Sequence, residues 1–389
     1  MRKWLDRLLL LGVFCVLAAG LVRTVFFPKL MNYYENRYAN QIPSVTTAGV
    51  LDGSFQSGAE DALADQVPMA QRMKKLYNMA NTNLLKAVMD GVMERNPNRY
   101  FSFEGMQIFG TDYITYPTRS LAAMTDALDR KAENLNQQFK AHPELEFYVY
   151  YIEKDTDINF ETEEKVGAAE YLFDQLVLPQ ENMGVFSISN FTEFQKYFYK
   201  TDHHWNWDGS YLGYMQILAL LGGDEPLKPA GAAQCISHSF SGAKATTSGA
   251  GTAFQEDFFA YPYVFPPMTI TIDGAPAENY GHQSQFLAGE SGYLTYGTFY
   301  GSDEAEVMFD TGKTACENLL VIGDSFDNAI LKLLASSFHQ TYSVDLRYYA
   351  TKLGKPFELA EYAADHQIDK VLLVGNIDYF TMDEFRLEG

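Results

Sequence analysis

The side chains best suited to catalysis are concentrated in one eight-residue stretch, Thr201 to Asp208. It contains two of the seven histidines, two of the three tryptophans and two aspartates. If the stretch is extended, residues two apart share a face, so Asp202 and His204 would point one way and His203 the other. A carboxylate beside an imidazole fixes the tautomer of the ring and raises its basicity. We therefore expect a general base at His204, oriented by Asp202, and a nucleophile from another part of the chain.

Ser325 is the predicted nucleophile because of where it falls in the pattern of elements. The apolar run Leu319–Ile322 predicts a buried strand, Gly-Asp-Ser follows it directly, and 328–338 has helical spacing. A turn after a parallel strand exposes side chains at the carboxyl edge of the sheet, where backbone amides of the next helix could hold an oxyanion. Asn376 follows another predicted strand, 371–374, and is a candidate second oxyanion donor. Without this context, Gly-Asp-Ser would be a turn with an N-cap serine.

The elements around these residues must bring them together. Strands and helices alternate, which predicts a parallel α/β sheet flanked by helices. Leu145–Ile152 and Val185–Ile188 are predicted strands, with a helix over Glu163–Leu176 between them. Asp208 is the predicted N-cap of a helix over Gly209–Leu221. This arrangement would deliver the Asp202 stretch to the edge of the sheet.

The chain divides into three predicted parts. Residues 1–28 are a signal anchor or transmembrane segment, 29–98 a membrane-proximal helical segment, and 99–389 the α/β domain. Within the last part, about 226–317 is rich in Gly, Ala, Ser and Thr and carries short aromatic strands, which predicts a β-rich insertion.

The N-terminal sequence predicts that the protein is located at the cell membrane. Leu8 to Val22 is uncharged and follows Arg2, Lys3 and Arg7, which is typical of a signal anchor or of a cleaved signal peptide. We expect an uncleaved single-pass anchor, with secretion after cleavage as the alternative. In both cases the basic flank stays inside, and the bulk of the chain lies outside the cytoplasm.

Composition excludes some classes of function. With 47% hydrophobic and 20% charged residues the chain is globular, and its net charge of -21 argues against nucleic acid as a partner. Cys235 and Cys316 could pair or remain free thiols. A metal site on Asp202 and His204 would need a third ligand, and no histidine spacing suggests one. We predict no cofactor and no metal.

The motifs also resemble those of known families. Gly323-Asp324-Ser325 and Gly375-Asn376-Ile377-Asp378 are similar to the serine and asparagine blocks of SGNH/GDSL hydrolases. Here the Asp-x-His pair precedes the serine, which resembles the permuted SGNH-like domains of alginate O-acetyltransferases of the AlgX and AlgJ type. The literal Asp-His-His-Trp beginning at Asp202 resembles the bacterial DHHW family. Further matches are Glu35-Asn36-Arg37, Leu51-Asp52-Gly53, Asp65-Gln66-Val67-Pro68 and Asp345-Leu346-Arg347-Tyr348-Tyr349.

The resemblance implies a fold and a set of roles. The fold would be an SGNH hydrolase-like α/β domain, with Ser325 as nucleophile, His204 as base and Asp202 as orienter. Arg347 would contact an anion or the acyl oxygen, or form a structural salt bridge. Asn376 would be an oxyanion donor, and Trp207 would line a sugar site or pack in the core.

The implied function is extracytoplasmic O-acetyl transfer to, or ester hydrolysis on, a cell-surface polysaccharide. Transfer needs an acetyl donor, which a membrane acyltransferase partner could supply. The alternative is a non-catalytic SGNH-like surface protein for carbohydrate binding or assembly. The two alternatives differ in whether Ser325 lies within hydrogen-bond reach of His204.

Overall fold

The structure is a computed structural model. It describes residues 2–29, 31–32, 37–66, short pieces between 72 and 87, and then 100–103, 105–109, 112–223, 225–248, 254–290 and 292–387. Much of the predicted membrane-proximal segment, 29–98, therefore lies outside the described residues.

The described strands fall into one large sheet and several small ladders. In chain order they are β1 Met31–Asn32, β2 Arg37–Tyr38, β3 Tyr100–Phe103, β4 Met106–Phe109, β5 Tyr113–Thr115, β6 Glu146–Ile152, β7 Ile158–Asn159, β8 Glu164–Lys165, β9 Met183–Phe186, β10 Gln234–Phe240, β11 Glu256–Ala260, β12 Thr269–Ile272, β13 Ala275–Ala277, β14 Glu306–Asp310, β15 Leu319–Ile322, β16 Gln340–Val344 and β17 Lys370–Gly375.

The helices connect these strands and cover the large sheet. Those whose bounds lie within the described residues are α1 Arg2–Phe26, α2 Thr47–Asp52, α3 Ser54–Gln66, α4 Thr125–Ala141, α5 Ala168–Phe173, α6 Phe191–Tyr197, α7 Trp207–Leu220, α8 Ala243–Thr247, α9 Gln283–Leu287, α10 Tyr296–Tyr300, α11 Leu331–Ala335, α12 Leu346–Leu353, α13 Leu359–His366 and α14 Ile377–Thr381. Single 3-10 turns lie at 121–123, 155–157, 180–182, 327–329 and 383–385.

The large sheet has eight strands in the order β13-β12-β14-β16-β15-β17-β6-β9. The five strands from β16 to β9 are parallel to one another, and β12, β13 and β14 extend the sheet with antiparallel pairs. The α/β fold predicted from strand–helix alternation is confirmed. The predicted β-rich insertion contributes in two ways: β12 to β14 join the main sheet, while β10 and β11 form a separate two-stranded antiparallel sheet.

The central strands are buried on both faces, as a helix-covered parallel sheet requires. In β15, Leu319 and Val321 enter one apolar core, while Leu320 and Ile322 enter the core on the opposite face. All four side chains are fully buried, which explains the continuous apolar run in the sequence. The sheet therefore fixes where each of its strands ends.

Two local predictions were wrong in their bounds. The helix predicted over Glu163–Leu176 is only Ala168–Phe173, because Glu164–Lys165 pairs with Ile158–Asn159 as a short hairpin. The helix after the histidines begins at Trp207, and Asn206 rather than Asp208 is its N-cap. The Asn206 side chain accepts hydrogen bonds from the Asp208 and Gly209 amides, both at 3.0 Å.

One helix in the described part of the chain is long and apolar enough to cross a membrane. Its apolar window runs from Arg7 to Thr24, and most of its side chains are exposed. The same features are found in signal sequences. A helix of the predicted kind is therefore present near the N-terminus.

Candidate active site

Ser325 lies at the carboxyl end of β15, between the ends of the flanking parallel strands β16 and β17. Gly323, directly after the strand, allows this turn to pack closely. A Cβ at Gly323 would lie 2.4 Å from Asp327 Oδ2 and 3.0 Å from the Val374 carbonyl oxygen. Asp324 Oδ1 then accepts a hydrogen bond from the Phe326 amide at 3.0 Å. Packing between strand ends thus determines the path of the backbone at Ser325.

Asp202 and His204 lie on a loop outside the sheet. Phe198 and Trp205 form an isolated antiparallel bridge at its base, and the His204 carbonyl accepts from the Tyr199 amide at 3.2 Å. Between these points the chain bends and does not form a strand. The extended conformation assumed from the sequence is therefore wrong. Asp202 and His204 meet because the chain turns back on itself. Asp202 Oδ1 accepts a hydrogen bond from the His204 amide at 3.2 Å.

The loop and the strand end meet in a continuous chain of hydrogen bonds. His204 Nδ1 lies 2.6 Å from Asp202 Oδ1, and His204 Nε2 lies 2.8 Å from Ser325 Oγ. Asp202 and His204 are buried and Ser325 is half-buried. Residues 121 positions apart in sequence thus adopt the geometry in which a carboxylate orients an imidazole that can deprotonate a hydroxyl.

The Asp202 carboxylate is held from its other side by the start of α8. Its Oδ2 accepts from the Ala243 amide at 2.7 Å, and a Cβ on Gly242 would lie only 2.4 Å from Asp202 Cβ. Burial by itself would raise the pKa of Asp202. The charge and hydrogen bond of His204, with smaller effects from His203 and the Ala243 amide, nevertheless lower it below its ordinary value. The carboxylate is therefore ionised and can stabilise an imidazolium.

A half-buried glutamate holds the start of the same loop. Glu256 Oε2 accepts from the Lys200 amide at 2.9 Å, and Oε1 accepts from both the amide and the hydroxyl of Thr201, at 2.7 and 2.6 Å. Burial raises the pKa of Glu256 to about 7, although these hydrogen bonds act in the opposite direction. The insertion thus supplies Glu256 on β11 and Ala243 on α8 to fix the loop.

Aromatic rings enclose the imidazole of His204. The Tyr296 ring stacks on it at a centroid distance of 3.7 Å and an interplanar angle of 1°, and Phe326 packs at 4.9 Å. Trp205 is fully buried, and its Nε1 donates to the Phe326 carbonyl at 3.0 Å. These contacts restrict the rotation of His204 and join the loop to the Ser325 turn.

His203 packs against His204 at a ring-centroid distance of 3.9 Å. Its Nδ1 has no hydrogen-bond partner among the described residues and lies 3.6 Å from Asp202 Oδ1. Burial, and next the His204 charge, hold the pKa of His203 well below 6.5, against an opposing effect of Asp202. The ring is thus neutral at neutral pH.

Asp202, His203 and His204 place three possible metal-binding atoms within 4.8 Å of one another. The third donor that a metal site would need is therefore adjacent in sequence. Both ring nitrogens of His204 are engaged, by Asp202 and by Ser325. A metal ion could bind His204 only by displacing one of these hydrogen bonds.

The other predicted site residues have different surroundings. Asn376 caps α14, because its Oδ1 accepts a hydrogen bond from the Asp378 amide at 2.9 Å. Its Nδ2 donates a hydrogen bond to Asp324 Oδ2 at 3.2 Å. It thus lies beside the Ser325 turn, and its role as an oxyanion donor stays a prediction. Burial raises the pKa of Asp324 to about 6.

Arg347 and Trp207 have protein partners. Arg347 Nε donates to Asp345 Oδ1 at 2.9 Å and Nη2 to Asp303 Oδ2 at 3.0 Å, which is the structural salt bridge considered as its alternative. Trp207 is half-buried in the first turn of α7 and packs on Phe259 at 5.0 Å. Their roles in substrate binding stay predictions.

Sequence reasoning missed three residues that support the hydrogen-bonded relay formed by Asp202, His204 and Ser325. They are Tyr296, Glu256 and Ala243. Tyr296 is one of 26 tyrosines and Glu256 one of 50 acidic residues, so neither type nor spacing distinguishes them. One weak signal existed, since the insertion lies between the two halves of the site in sequence and could contact both.

The fold is similar to that of solved structures, although no protein-family model matches the sequence and a search of curated proteins finds no relative. PatB1 of Bacillus cereus aligns with a TM-score of 0.55 and 20% identity, over 75% of this chain and 99% of PatB1. A second PatB1 structure, with a sulfonyl adduct, gives 0.53 and 21%, over 75% and 97%. A DHHW family protein from Eubacterium siraeum aligns with a TM-score of 0.55 and 18% identity, over 74% of this chain and 95% of that protein.

AlgX of Pseudomonas aeruginosa also aligns, over 70% of this chain and 63% of AlgX. Its TM-score of 0.33 and identity of 10% are too low to support a conclusion. The chain has the fold of PatB1 and of the DHHW family protein, as its Asp-His-His-Trp motif and its Gly-Asp-Ser turn predicted.

Proposed function

We propose that this protein is a serine-dependent acyltransferase or acetylesterase that acts on a cell-surface polysaccharide outside the cytoplasm. The observation that carries the proposal is the hydrogen-bonded relay from Asp202 through His204 to Ser325, with distances of 2.6 and 2.8 Å. A serine hydroxyl is a weak nucleophile until a base accepts its proton, and an oriented imidazole is the usual base. The relay supplies both components.

The first half-reaction forms an acyl-enzyme. Ser325 Oγ attacks the carbonyl carbon of the acyl donor as its proton moves to His204 Nε2, and Asp202 stabilises the imidazolium that results. When the tetrahedral intermediate collapses, the bond to the leaving group breaks and His204 returns the proton to that group. The acetyl group is then esterified to Ser325.

The second half-reaction reverses these roles. A sugar hydroxyl or a water molecule loses its proton to His204 and attacks the acyl carbon. The bond to Ser325 Oγ breaks, and the serine regains its proton from His204. Transfer and hydrolysis differ only in the acceptor, so the same relay serves both reactions.

The N-terminal helix supports the proposed location. In the proposal α1 is a single-pass anchor with its basic flank in the cytoplasm, and residues after it face outward. Cleavage of a signal sequence would also leave the folded domain outside the cell. An acetyl donor would reach this side with the help of a membrane acyltransferase partner.

The geometry favours catalysis over the non-catalytic alternative. Carbohydrate binding alone does not require a serine within 2.8 Å of a buried histidine, nor a carboxylate whose second oxygen is held by a backbone amide. Three supports fix the orientation of His204: Asp202, Tyr296 and the Phe198–Trp205 bridge. Preorganisation of this kind is what acyl transfer needs.

A turnover assay tests the proposal. The full chain in detergent micelles is mixed with p-nitrophenyl acetate, and release of p-nitrophenol is compared for the wild type, Ser325→Ala and His204→Ala. Removing either member of a working triad lowers the rate by several orders of magnitude, so we expect a loss of about 10⁴-fold or more. Ser239→Ala is the control, because Ser239 is exposed on β10. Turnover that survives both triad substitutions would exclude the proposal.

A further inference from the structure

A pocket lies beside the relay, and the mechanism described above does not use it. Its volume is about 340 Å³, at the lower end of the range of about 300–1,000 Å³ that ligand pockets occupy. Among the residues that line it are Tyr116, Arg119, Lys154, Thr156, His203 and Asp378. They come from the turn after β6, the segment after β5, the start of α14 and the Asp202 loop.

The pocket is connected to the nucleophile through two stacked rings. His203 lines the pocket, its ring centroid lies 3.9 Å from that of His204, and His204 Nε2 lies 2.8 Å from Ser325 Oγ. On the opposite side of the pocket, Asp378 lies two residues after Asn376, which directly follows β17. The Asn376 side chain donates a hydrogen bond to Asp324 in the Ser325 turn. A ligand in the pocket would therefore be held within a few side chains of the acyl group.

The charges in the pocket are mixed, because two cationic side chains share one carboxylate. Lys154 Nζ donates to Asp378 Oδ2 at 2.9 Å, and Arg119 pairs with Asp378 Oδ1. Burial would raise the pKa of Asp378, but Lys154 and Arg119 lower it below its ordinary value. Lys244 and Asp155 form a fully buried pair at 2.6 Å behind the pocket. A ligand would thus meet both strong donors and an ionised acceptor.

The aromatic ring of Tyr116 has a fixed position in the pocket. Lys154 Nζ lies 5.5 Å and Lys244 Nζ 5.2 Å from the ring centroid, and the Tyr116 amide donates to Asp155 Oδ2 at 2.8 Å. A fixed aromatic surface beside charged hydrogen-bonding groups suits a ligand with both C–H faces and hydroxyl groups.

We propose that this pocket binds one neutral, polyhydroxylated sugar unit of the acceptor glycan and that His203 positions its hydroxyl for attack on the acyl-enzyme. The inference rests on the proposed function, whose acceptor it identifies by chemical class. Neutral hydroxyls can accept hydrogen bonds from Arg119 and Lys154 and donate one to Asp378. An anionic sugar would have to compete with Asp378 for the same two cations. His203 lines the pocket with a neutral ring, so it can contact the sugar without adding a charge beside His204.

The test measures how the acyl-enzyme partitions between acceptors. The full chain in detergent micelles receives p-nitrophenyl acetate with methyl glucoside, methyl N-acetylglucosaminide or the anionic methyl glucuronide. Mass spectrometry gives the ratio of O-acetylated sugar to free acetate. We expect the ratio to be highest for a neutral glycoside and to fall about tenfold or more in Arg119→Gln and His203→Gln. Arg119→Gln removes a charged hydrogen-bond donor, and His203→Gln removes the ring that orients the sugar. Arg130→Gln is the matched control, since Arg130 is exposed on α4, 4.0 Å from Asp383, and should keep the wild-type ratio.

Saturation-transfer NMR on Ser325→Ala measures sugar binding without chemistry. We expect transfer from the protein to a neutral glycoside, and loss of that signal when Arg119→Gln is added. An unchanged ratio in both pocket variants, a preference for the glucuronide, or no saturation transfer to either neutral glycoside would overturn the proposal. Failure of the proposed function gives a different result: Ser325→Ala would keep its turnover, while the binding signal would still depend on Arg119.

Discussion

The two halves of the candidate site are fixed by different physical means. Ser325 follows a buried strand between two parallel neighbours, so its position depends on backbone packing that extends through the core. Asp202 and His204 lie on a loop, and their positions depend on hydrogen bonds from the insertion and on aromatic contacts. The hydrogen-bonded relay is thus the contact between a rigid sheet edge and a loop supported by side chains.

This difference suggests how each half should respond to damage. A change at the sheet edge must disturb packed backbone, so stability and activity should fall together. A change in the supports of the loop should affect activity more than global stability, because the loop can relax without unfolding the sheet. The following three substitutions test this contrast.

Gly323→Ala should have the largest effect. The added Cβ would lie 2.4 Å from Asp327 Oδ2 and 3.0 Å from the Val374 carbonyl, and overpacking of this kind costs about 1–3 kcal/mol or more. We expect urea denaturation to show a loss of that size, together with loss of esterase turnover. Gly231→Ala is the control, since the nearest atom to its Cβ would be Pro262 Cγ at 3.7 Å. Wild-type stability in Gly323→Ala would contradict the account of the strand end.

Glu256→Ala should have a smaller effect, and mainly on activity. It removes the acceptor for the Lys200 and Thr201 amides, which frees the start of the Asp202 loop. Because a displacement of about 1 Å can cost about 100-fold in rate, we expect kcat/KM for p-nitrophenyl acetate to fall by about 10–100-fold. Exposed Glu278 provides the control Glu278→Ala. A large fall in unfolding free energy with unchanged kcat/KM would reverse the proposed contrast.

His203→Gln should have the smallest effect on stability and on hydrolysis of p-nitrophenyl acetate. Of these two properties it should change only the stability, through the dependence of the free energy of unfolding on pH. Burial and His204 hold the pKa of His203 well below 6.5 in the folded protein, despite Asp202, and Lys154 and Lys244 act in the same direction as His204. In the unfolded chain this pKa is about 6.5. As the pH falls below that value, the unfolded chain binds a proton that the folded chain does not, so the free energy of unfolding decreases.

The substitution removes this contribution. Between about pH 6.5 and 5, the curve for His203→Gln should be flatter than that of the wild type by up to about 1.4 kcal/mol per pH unit. Urea denaturation across this range measures both curves. Parallel curves would mean that His203 takes up its proton equally in the folded and unfolded states.

The same contrast explains what could be predicted from the sequence. Leu319–Ile322 is buried on both faces, and such a strand has a strong apolar signal, so the sheet and the Ser325 turn were predictable. Asp202 and His204 were identified by residue type, but for the wrong geometric reason, because the loop bends. Its shape depends on Glu256 and Tyr296, which are distant in sequence, and no local pattern encodes those contacts.

The N-cap of α7 shows the same limit on a smaller scale. Asn206 and Asp208 are both good capping residues, and the Phe198–Trp205 bridge decides between them by fixing where the loop ends. For Arg347, residue type suggested an anion contact, while its two aspartate partners, Asp345 and Asp303, give it a structural contact. Where the local sequence allows a residue two roles equally well, tertiary contacts thus determine which role it has.

The most direct test of the central claim is to identify the acylated residue. The full chain is incubated with p-nitrophenyl acetate, quenched with acid and digested, and the peptides are analysed by mass spectrometry. The account predicts one acetyl group on Ser325 in the wild type and none at that position in His204→Ala, because the serine then has no base. Acetylation confined to other residues, or equal acetylation of Ser325 in both proteins, would contradict it.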